Sequence, residues 1–317
     1  MARAASAVAF AYHNVGVRCL SVLLAHGVDV RLVVTHDDDP RENVWFGSVE
    51  ALARSHDLPV AKPHDPNEPQ LVQQISSLRP DFLFSFYYRS MLSPALLSLP
   101  RRGALNMHGS LLPRYRGRAP VNWAVIKGER QTGATLHYMV EKPDAGDIVA
   151  QQSVPILPDD TAFDVFAKVT LAAELALDRT LPALLAGDAP RVPQNLANGS
   201  YFGGRKPEDG LIDWRCSAAA IHNLVRGVAP PYPGAFCMAG GKRLRVLRTL
   251  LASETPPRVG YPALFCHAGR CYAECSDGRC LRILSLEVDG TMLDERSFQR
   301  AGATAPIPLL VSQLSEP

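Results

Sequence analysis

Asn106 and His108 stand two residues apart in the run Gly103-Ala104-Leu105-Asn106-Met107-His108-Gly109-Ser110-Leu111-Leu112-Pro113. The apolar residues ahead of them read as a short buried strand that Gly109 ends, and positions i and i+2 of a strand project to one face. An amide and an imidazole are therefore expected in one cleft. The amide N–H can donate to an oxygen that gains negative charge, and the imidazole can move a proton; together they are a minimal kit for acyl transfer. Asp144 stands further on, in the turn Pro143-Asp144-Ala145-Gly146. Taken singly, each residue has a plainer use. Strand-end polar side chains satisfy loop backbone, and an Asp before Ala-Gly is an ordinary turn residue.

The elements that must position these groups alternate between two periods. Val8–Ala11, Val28–Thr35, Pro59-Val60, Asp81–Phe86 and Gly103–Asn106 read as strands. Gly16–His26, Ser48–His56, Glu68–Ser77 and Pro94–Leu99 between them read as helices, the first closed by Gly27 as a C-cap. This rhythm predicts a doubly wound, Rossmann-like α/β domain with a parallel sheet and helices on both faces. Ligands of such sheets sit beyond the carboxyl ends of the strands, where Asn106 and His108 fall. The loop after the first strand, Tyr12-His13-Asn14-Val15-Gly16, lacks G-x-G-x-x-G, which argues against dinucleotide binding.

Two more strands, Thr132–Val140 and Asp147–Ile156, and a helix over Thr161–Ala186 complete a first domain of residues 1–190. Residues 191–210, rich in Gly, Pro, Asn and Ser, read as a linker. From 211 to 317 a helix near Ala218–Arg226 precedes short strands, with Asp277-Gly278 as a hairpin signal, which predicts a smaller, mostly β, barrel-like (OB-like) domain.

The whole chain has 317 residues, 47% of them apolar and 20% charged, with a net charge of +2. That is an ordinary soluble composition with no global signal for coating nucleic acid. Arg3 and the apolar residues to Phe10 weakly imitate a signal peptide, but Tyr12-His13-Asn14 follows at once, and a first strand is the better reading. No apolar run is long enough to span a membrane. The expectation is a cytoplasmic protein with no membrane partner. Seven cysteines include Cys266, Cys271, Cys275 and Cys280, spaced without the C-x2-C knuckles of structural zinc sites. They read as reduced, half-buried thiols, and no metal is expected.

The three-part motif, Asn106-x-His108-Gly109-Ser110-Leu111-Leu112-Pro113, then Arg116-Gly117-Arg118-Ala119-Pro120, then Asp144-Ala145-Gly146, resembles the formyltetrahydrofolate-dependent formyltransferases. The likeness covers almost the whole chain, including Pro-Tyr-Pro-Gly-Ala-Phe at 231–236. Phe10-Ala11-Tyr12-His13, Phe84-Ser85-Phe86-Tyr87-Tyr88-Arg89 and the Arg118 that follows Gly117 look most like the formyltransferase domain of UDP-4-amino-4-deoxy-L-arabinose formyltransferase. The chain has no room for the dehydrogenase half of the bifunctional members, so only the formyl step is expected.

The resemblance implies attack of an amine on the N10-formyl carbon of 10-formyltetrahydrofolate, with tetrahydrofolate leaving. Asn106, His108 and Asp144 would be catalytic, with the Asp144 carboxylate orienting the His108 imidazole and favouring its protonated form. Arg118, Ser90-Met91-Leu92 and Val140-Glu141-Lys142-Pro143 would bind the folate. Tyr12, His13 and Arg205 are candidate contacts for a nucleotide-linked amino sugar, with loop packing an equal use for the first two. For Arg205 and Lys206 solvated charge is the preferred reading over contact with a diphosphate, and for Tyr87 and Tyr88 core is preferred over a ligand platform.

The nearest rival is methionyl-tRNA formyltransferase. Recognition of tRNA needs Lys and Arg at phosphates, whereas Thr35-His36-Asp37-Asp38-Asp39-Pro40-Arg41-Glu42 is acidic. That favours a small acceptor over nucleic acid, although a solvated turn explains the run as well. A non-catalytic nucleotide-binding module and a formyltetrahydrofolate hydrolase are further alternatives. The sequence identifies neither the sugar nor the oligomeric state, a homo-oligomer included.

Overall fold

The computed structural model describes residues 4–40, 42–301 and 304–309. Arg3, Arg41 and residues 310–317, which belong to segments read above, lie outside the described residues. The chain divides into two compact units. One comprises Met1–Val121, Gln131–Pro155 and Phe166–Gly203; the other comprises Asn122–Arg130, Ile156–Val165 and Gly204–Pro317.

The elements run β1 (Ser6–Ala11), α1 (His13–Ala25), β2 (Asp29–Val34), α2 (Val49–Ser55), β3 (Val60–Ala61), α3 (Pro69–Leu78), β4 (Phe82–Phe86), α4 (Pro94–Leu97) and β5 (Gly103–His108). There follow β6 (Arg116–Gly117), α5 (Pro120–Ile126), β7 (Gln131–Tyr138), β8 (Ile148–Pro155), α6 (Ala162–Ala186) and β9 (Tyr201–Phe202). Local chemistry sets the helix starts. Ser48 Oγ accepts from the Ala51 N–H at the head of α2, and Ser93 Oγ from the Leu96 N–H at the head of α4. Proline opens α3 and α4, where its missing N–H has no intrahelical partner to lose.

The first sheet has the order β3-β2-β1-β4-β5-β7-β8. β1 and β4 are buried at every residue, as expected of parallel strands covered on both faces. Val8, Phe10, Leu32, Val34, Leu71, Ile75 and Leu83 make one core layer of this Rossmann-like unit. The β–α rhythm of the first half predicted parallel pairing, and the strands from β3 to β5 in this order pair that way. Pairing of β5 with β7 and of β7 with β8 is antiparallel. The segment that joins β7 to β8 and carries Asp144 is too short for a parallel crossover. β1 lies between β2 and β4, so the strand order reverses there. The crevice of an open α/β sheet therefore opens beyond the carboxyl ends of β1 and β4.

The second unit holds α7 (Ala218–Gly227), β10 (Ala235–Ala239), β11 (Lys242–Leu251), β12 (Ala263–His267), β13 (Arg270–Glu274), β14 (Cys280–Val288), β15 (Thr291–Asp294), α8 (Glu295–Ala301) and β16 (Ile307–Pro308). Its sheet is mostly antiparallel and nearly barrel-shaped, in the order β10-β11-β14-β13-β12-β16, with β15 on β14. Trp214, Ile221 and Val225 pack with Val246, Cys271 and Ile283 in its core. Gly278, at φ 71°, turns β13 into β14 where Asp277-Gly278 predicted a hairpin. The cysteines are free thiols, with Cys271 and Cys275 buried. Among the described residues, no three or more His, Cys, Asp or Glu side chains are grouped to hold a metal ion. No helix there is long and apolar enough to cross a membrane.

Candidate active site

β5 and β7 pair with Asn106 opposite His137 and His108 opposite Thr135, which sets four polar side chains at the end of the sheet. Asn106 Nδ2 lies 3.2 Å from His137 Nε2. His108 Nε2 donates to the Tyr115 carbonyl at 2.8 Å, leaving its Nδ1 facing Asp144 Oδ1 at 3.6 Å. His137 Nε2 is also 3.6 Å from Asp144 Oδ1. One carboxylate oxygen thus faces two imidazoles, while the other accepts the Gly117 N–H at 2.8 Å.

The fold therefore brings Asn106, His108 and Asp144 into one cluster. The hydrogen bond that orients the His108 ring is donated to a backbone carbonyl, and the carboxylate stands beside the other ring nitrogen. Burial works to raise the Asp144 carboxyl. The imidazole of His108, then that of His137 and the Gly117 N–H, outweigh it and hold the group well below the usual carboxylate range. A proton arriving on His108 Nδ1 would meet a fixed negative charge.

The loop after β5 is held from several sides. Ser110 Oγ donates to the Arg114 carbonyl, Thr135 Oγ1 to the Ser110 carbonyl, and Gln151 Nε2 to the Leu112 carbonyl. Residues 191–203, read from composition as linker, belong to the same compact unit and brace this loop. β9 pairs with β6, the Tyr115 N–H donates to Ser200 Oγ at 2.8 Å, and the rings of Tyr115 and Phe202 stack 5.2 Å apart. Gln194 Nε2 donates to the carbonyls of Asp144 and Gly146, at 3.1 and 2.6 Å, and so clamps the carboxylate's turn. Tyr115, Ala119 and Asp144 all have positive φ, a backbone cost that accumulates around functional loops.

The residues expected to bind folate fall into two groups. Leu92 is buried in the core of the first unit, and Ser90 and Pro143 are half-buried. Met91 and Val140 are apolar yet 62% and 47% exposed, and Arg118, Glu141 and Lys142 are exposed as well. Asn67 fixes the first of these loops, donating to the Met91 carbonyl and accepting from the Ser93 N–H.

At the end of β1, Tyr12 is buried and donates its hydroxyl to Asp38 at 2.7 Å; Arg89 lies over its ring. Burial, then the Asp38 hydrogen bond, raise the Tyr12 hydroxyl. His13 stands at φ 65°, its ring stacked on Phe46 and edge-on to Trp45 and Phe166, with Nδ1 buried and unpaired. That burial, with the Arg89 charge, lowers His13 to about 3. Phe166 also packs on Tyr87, whose hydroxyl fills the space a side chain at Gly109 would need. The aromatic cluster thereby reaches the residue after His108. His36 stacks on Tyr88. The acidic run is largely paired: Asp37 with Lys62, Asp38 with Tyr12, and Glu42 with Arg89. Arg205, in the second unit, covers the Trp123 ring at 4.9 Å, and the neighbouring Lys206 N–H donates to Asp209.

Sequence reasoning missed His137, Gln194, Asn67 and the Trp45-Phe46 pair. The available signal for His137 was an imidazole inside an otherwise strand-like run; for Gln194 and Asn67 there was none.

Residues 19–181 match the formyl transferase family model, and residues 205–300 match that of the formyl transferase C-terminal domain. The N-formyltransferase of Helicobacter canadensis, solved with folinic acid and dTDP-3-aminofucose, superposes with a TM-score of 0.71 at 19% identity, over 89% of this chain and 99% of that one. WlaRD, a sugar 3N-formyl transferase solved with dTDP and 5-N-formyl-THF, gives 0.71 at 18% identity over 91% and 99%. HypX of Aquifex aeolicus, solved with tetrahydrofolic acid, gives 0.61 at 18% identity over 91% of this chain and 46% of that one. These likenesses establish a shared fold. With both of the family's domains present, the chain belongs to the formyl transferases and is a one-carbon transferase.

Proposed function

We propose that the chain moves the formyl group of 10-formyltetrahydrofolate onto the amino group of a nucleotide-linked sugar, with UDP-4-amino-4-deoxy-L-arabinose as acceptor. The reading includes a cytoplasmic location and a place in lipid A modification during lipopolysaccharide biosynthesis. Its main support is the convergence of Asn106, His108 and Asp144, with 3.6 Å between the imidazole and the carboxylate. The sugar-nucleotide ligands of two structural relatives support the acceptor class. The exposed apolar side chains of Met91 and Val140, with the Arg118 guanidinium, suit a donor that combines flat rings with a carboxylate tail.

In this reading each side chain has one task. An Asn106 N–H donates to the formyl oxygen as it gains charge. His108 accepts a proton at Nδ1, beside the ionised Asp144, and returns it to the leaving nitrogen. Gly117 and Gln194 hold Asp144 and its turn in place. The crevice beyond β1 and β4, walled by the aromatic rings around His13, takes the sugar.

The test is a panel in which the donor is offered with UDP-4-amino-4-deoxy-L-arabinose, dTDP-3-aminofucose or initiator methionyl-tRNA, and formylated product is measured by mass. Product from the UDP-sugar alone is expected. Product from the dTDP-sugar alone corrects the acceptor, and product from the tRNA alone overturns the acceptor class. Formate released without any acceptor identifies a hydrolase, and turnover that is unchanged in His108→Ala removes the catalytic assignment.

A further inference from the structure

Asn106 can act as a donor only if its nitrogen, rather than its oxygen, faces the right way. An amide has two nearly isosteric orientations, and the wrong one would aim a lone pair at a developing negative charge. The structure holds a device that decides between them. His137 is fully enclosed in β7, and its Nδ1 lies 2.8 Å from the Tyr138 carbonyl. A carbonyl can only accept, so Nδ1 carries a proton, and in the Nδ1-protonated tautomer Nε2 presents a lone pair. Two groups stand near that lone pair. Asp144 Oδ1, at 3.6 Å, lies beyond normal hydrogen-bond range. Asn106 Nδ2, at 3.2 Å, is within hydrogen-bond range and has two protons to give.

We infer that His137 is a positioning residue: its Nδ1-protonated tautomer captures one N–H of Asn106 and fixes the amide so that the other can serve the reaction. The inference rests on the formyl-transfer reading above. The Tyr138 carbonyl sets the tautomer, the tautomer sets the amide, and the β5–β7 register places the two side chains opposite each other. Exchanging the amide ends would put the Asn106 oxygen against the Nε2 lone pair, a repulsive contact in a site with little water to screen it.

Three measurements test this. In His137→Phe the acceptor is lost, and kcat is expected to fall by about tenfold to a hundredfold, with KM for donor and acceptor within about threefold of wild type. In His137→Gln, which returns an acceptor oxygen at similar reach, most of kcat is expected back. In an Asn106→Ala background, adding His137→Phe should cost almost nothing further. A Phe variant that keeps wild-type kcat, a Gln variant no better than Phe, or an undiminished loss in the Asn106→Ala background overturns the proposal. The tautomer is also read without substrate, by nitrogen–proton NMR correlations of protein labelled with 15N-histidine. A His137 protonated at Nδ1 supports the inference and one protonated at Nε2 overturns it. That result stands even if no acceptor is ever formylated, so failure of the function and failure of the positioning role remain separate.

Discussion

Gly117 donates its backbone N–H to Asp144 Oδ2 across 2.8 Å, so a loop glycine anchors the carboxylate that faces His108. The anchor needs glycine for two reasons. Its φ is 95°, and a Cβ there would lie 2.2 Å from the Phe202 carbonyl oxygen. Gly117→Ala must therefore distort the β6–β9 pairing and move the donor. Strain of this kind costs about 1–3 kcal/mol. A displacement near 1 Å at the reacting groups costs about a hundredfold in rate. A thermal melt and steady-state kinetics on one preparation should show a modest loss of stability beside a large loss of kcat. Unchanged kcat would free Asp144 from its assigned task.

Asn106 and His108 should differ in how they fail. Asn106→Ala is expected to lower kcat by about 10²–10³ and His108→Ala by about 10²–10⁴. The double variant should lose less than the product of the two, because both act on one transition state. Steady-state rates of the three variants decide it.

The acid limb of activity should not come from Asp144. Its folded value lies below the unfolded one, so its ionisation adds stability above about pH 4 and loses that contribution as pH falls through the folded value. Above about pH 5 it keeps its charge, and the fall of kcat/KM with acidity should follow protonation of the acceptor amine. A kcat/KM profile that keeps the same inflection when the acceptor's amine pKa is changed would contradict this.

Gln194 gives the cleanest test of a brace. Gln194→Ala removes the hydrogen bonds to the Asp144 and Gly146 carbonyls, a loss of about 1–2 kcal/mol. Since neither bond touches a reacting group, kcat should fall several-fold, whereas Asn195→Ala, whose side chain only caps its own turn, should stay close to wild type. Equal rates in the two variants would remove the clamp from the account.

His13 should make the fold acid-sensitive. Its folded value, about 3, lies below the unfolded value, so the unfolded chain binds a proton the folded chain refuses. Stability then falls as pH drops below about 6.5, by roughly 2 kcal/mol at pH 5. His36, lowered to about 4 by burial and Arg89, acts in the same direction. His13→Phe should flatten the decline in melting temperature between pH 7 and pH 5. A variant as acid-sensitive as wild type would count against the burial of a neutral ring.

Much of this was legible in one dimension because the physics was local. β1 and β4 are continuous apolar runs, and such runs must be buried on both faces. Helix caps at Ser48 and Ser93 and the Asp277-Gly278 turn are encoded within a few residues. Asn106 and His108 share a face because a strand repeats every two residues. The antiparallel direction of β7 and β8 was less accessible, since strand direction follows from which edge a segment joins.

What the sequence by itself determined was a Rossmann-like unit with an amide–imidazole pair at one strand end, followed by a smaller β-rich unit. Tertiary structure alone decided which partners those side chains meet. His137 lies opposite Asn106 through the β5–β7 register, 31 positions apart in the chain. Gln194, from a stretch whose composition reads as linker, closes on the Asp144 turn 50 residues earlier. Composition describes how freely a segment moves when nothing holds it. Hydrogen bonds to a distant loop are what hold it, and those exist only once the chain has folded.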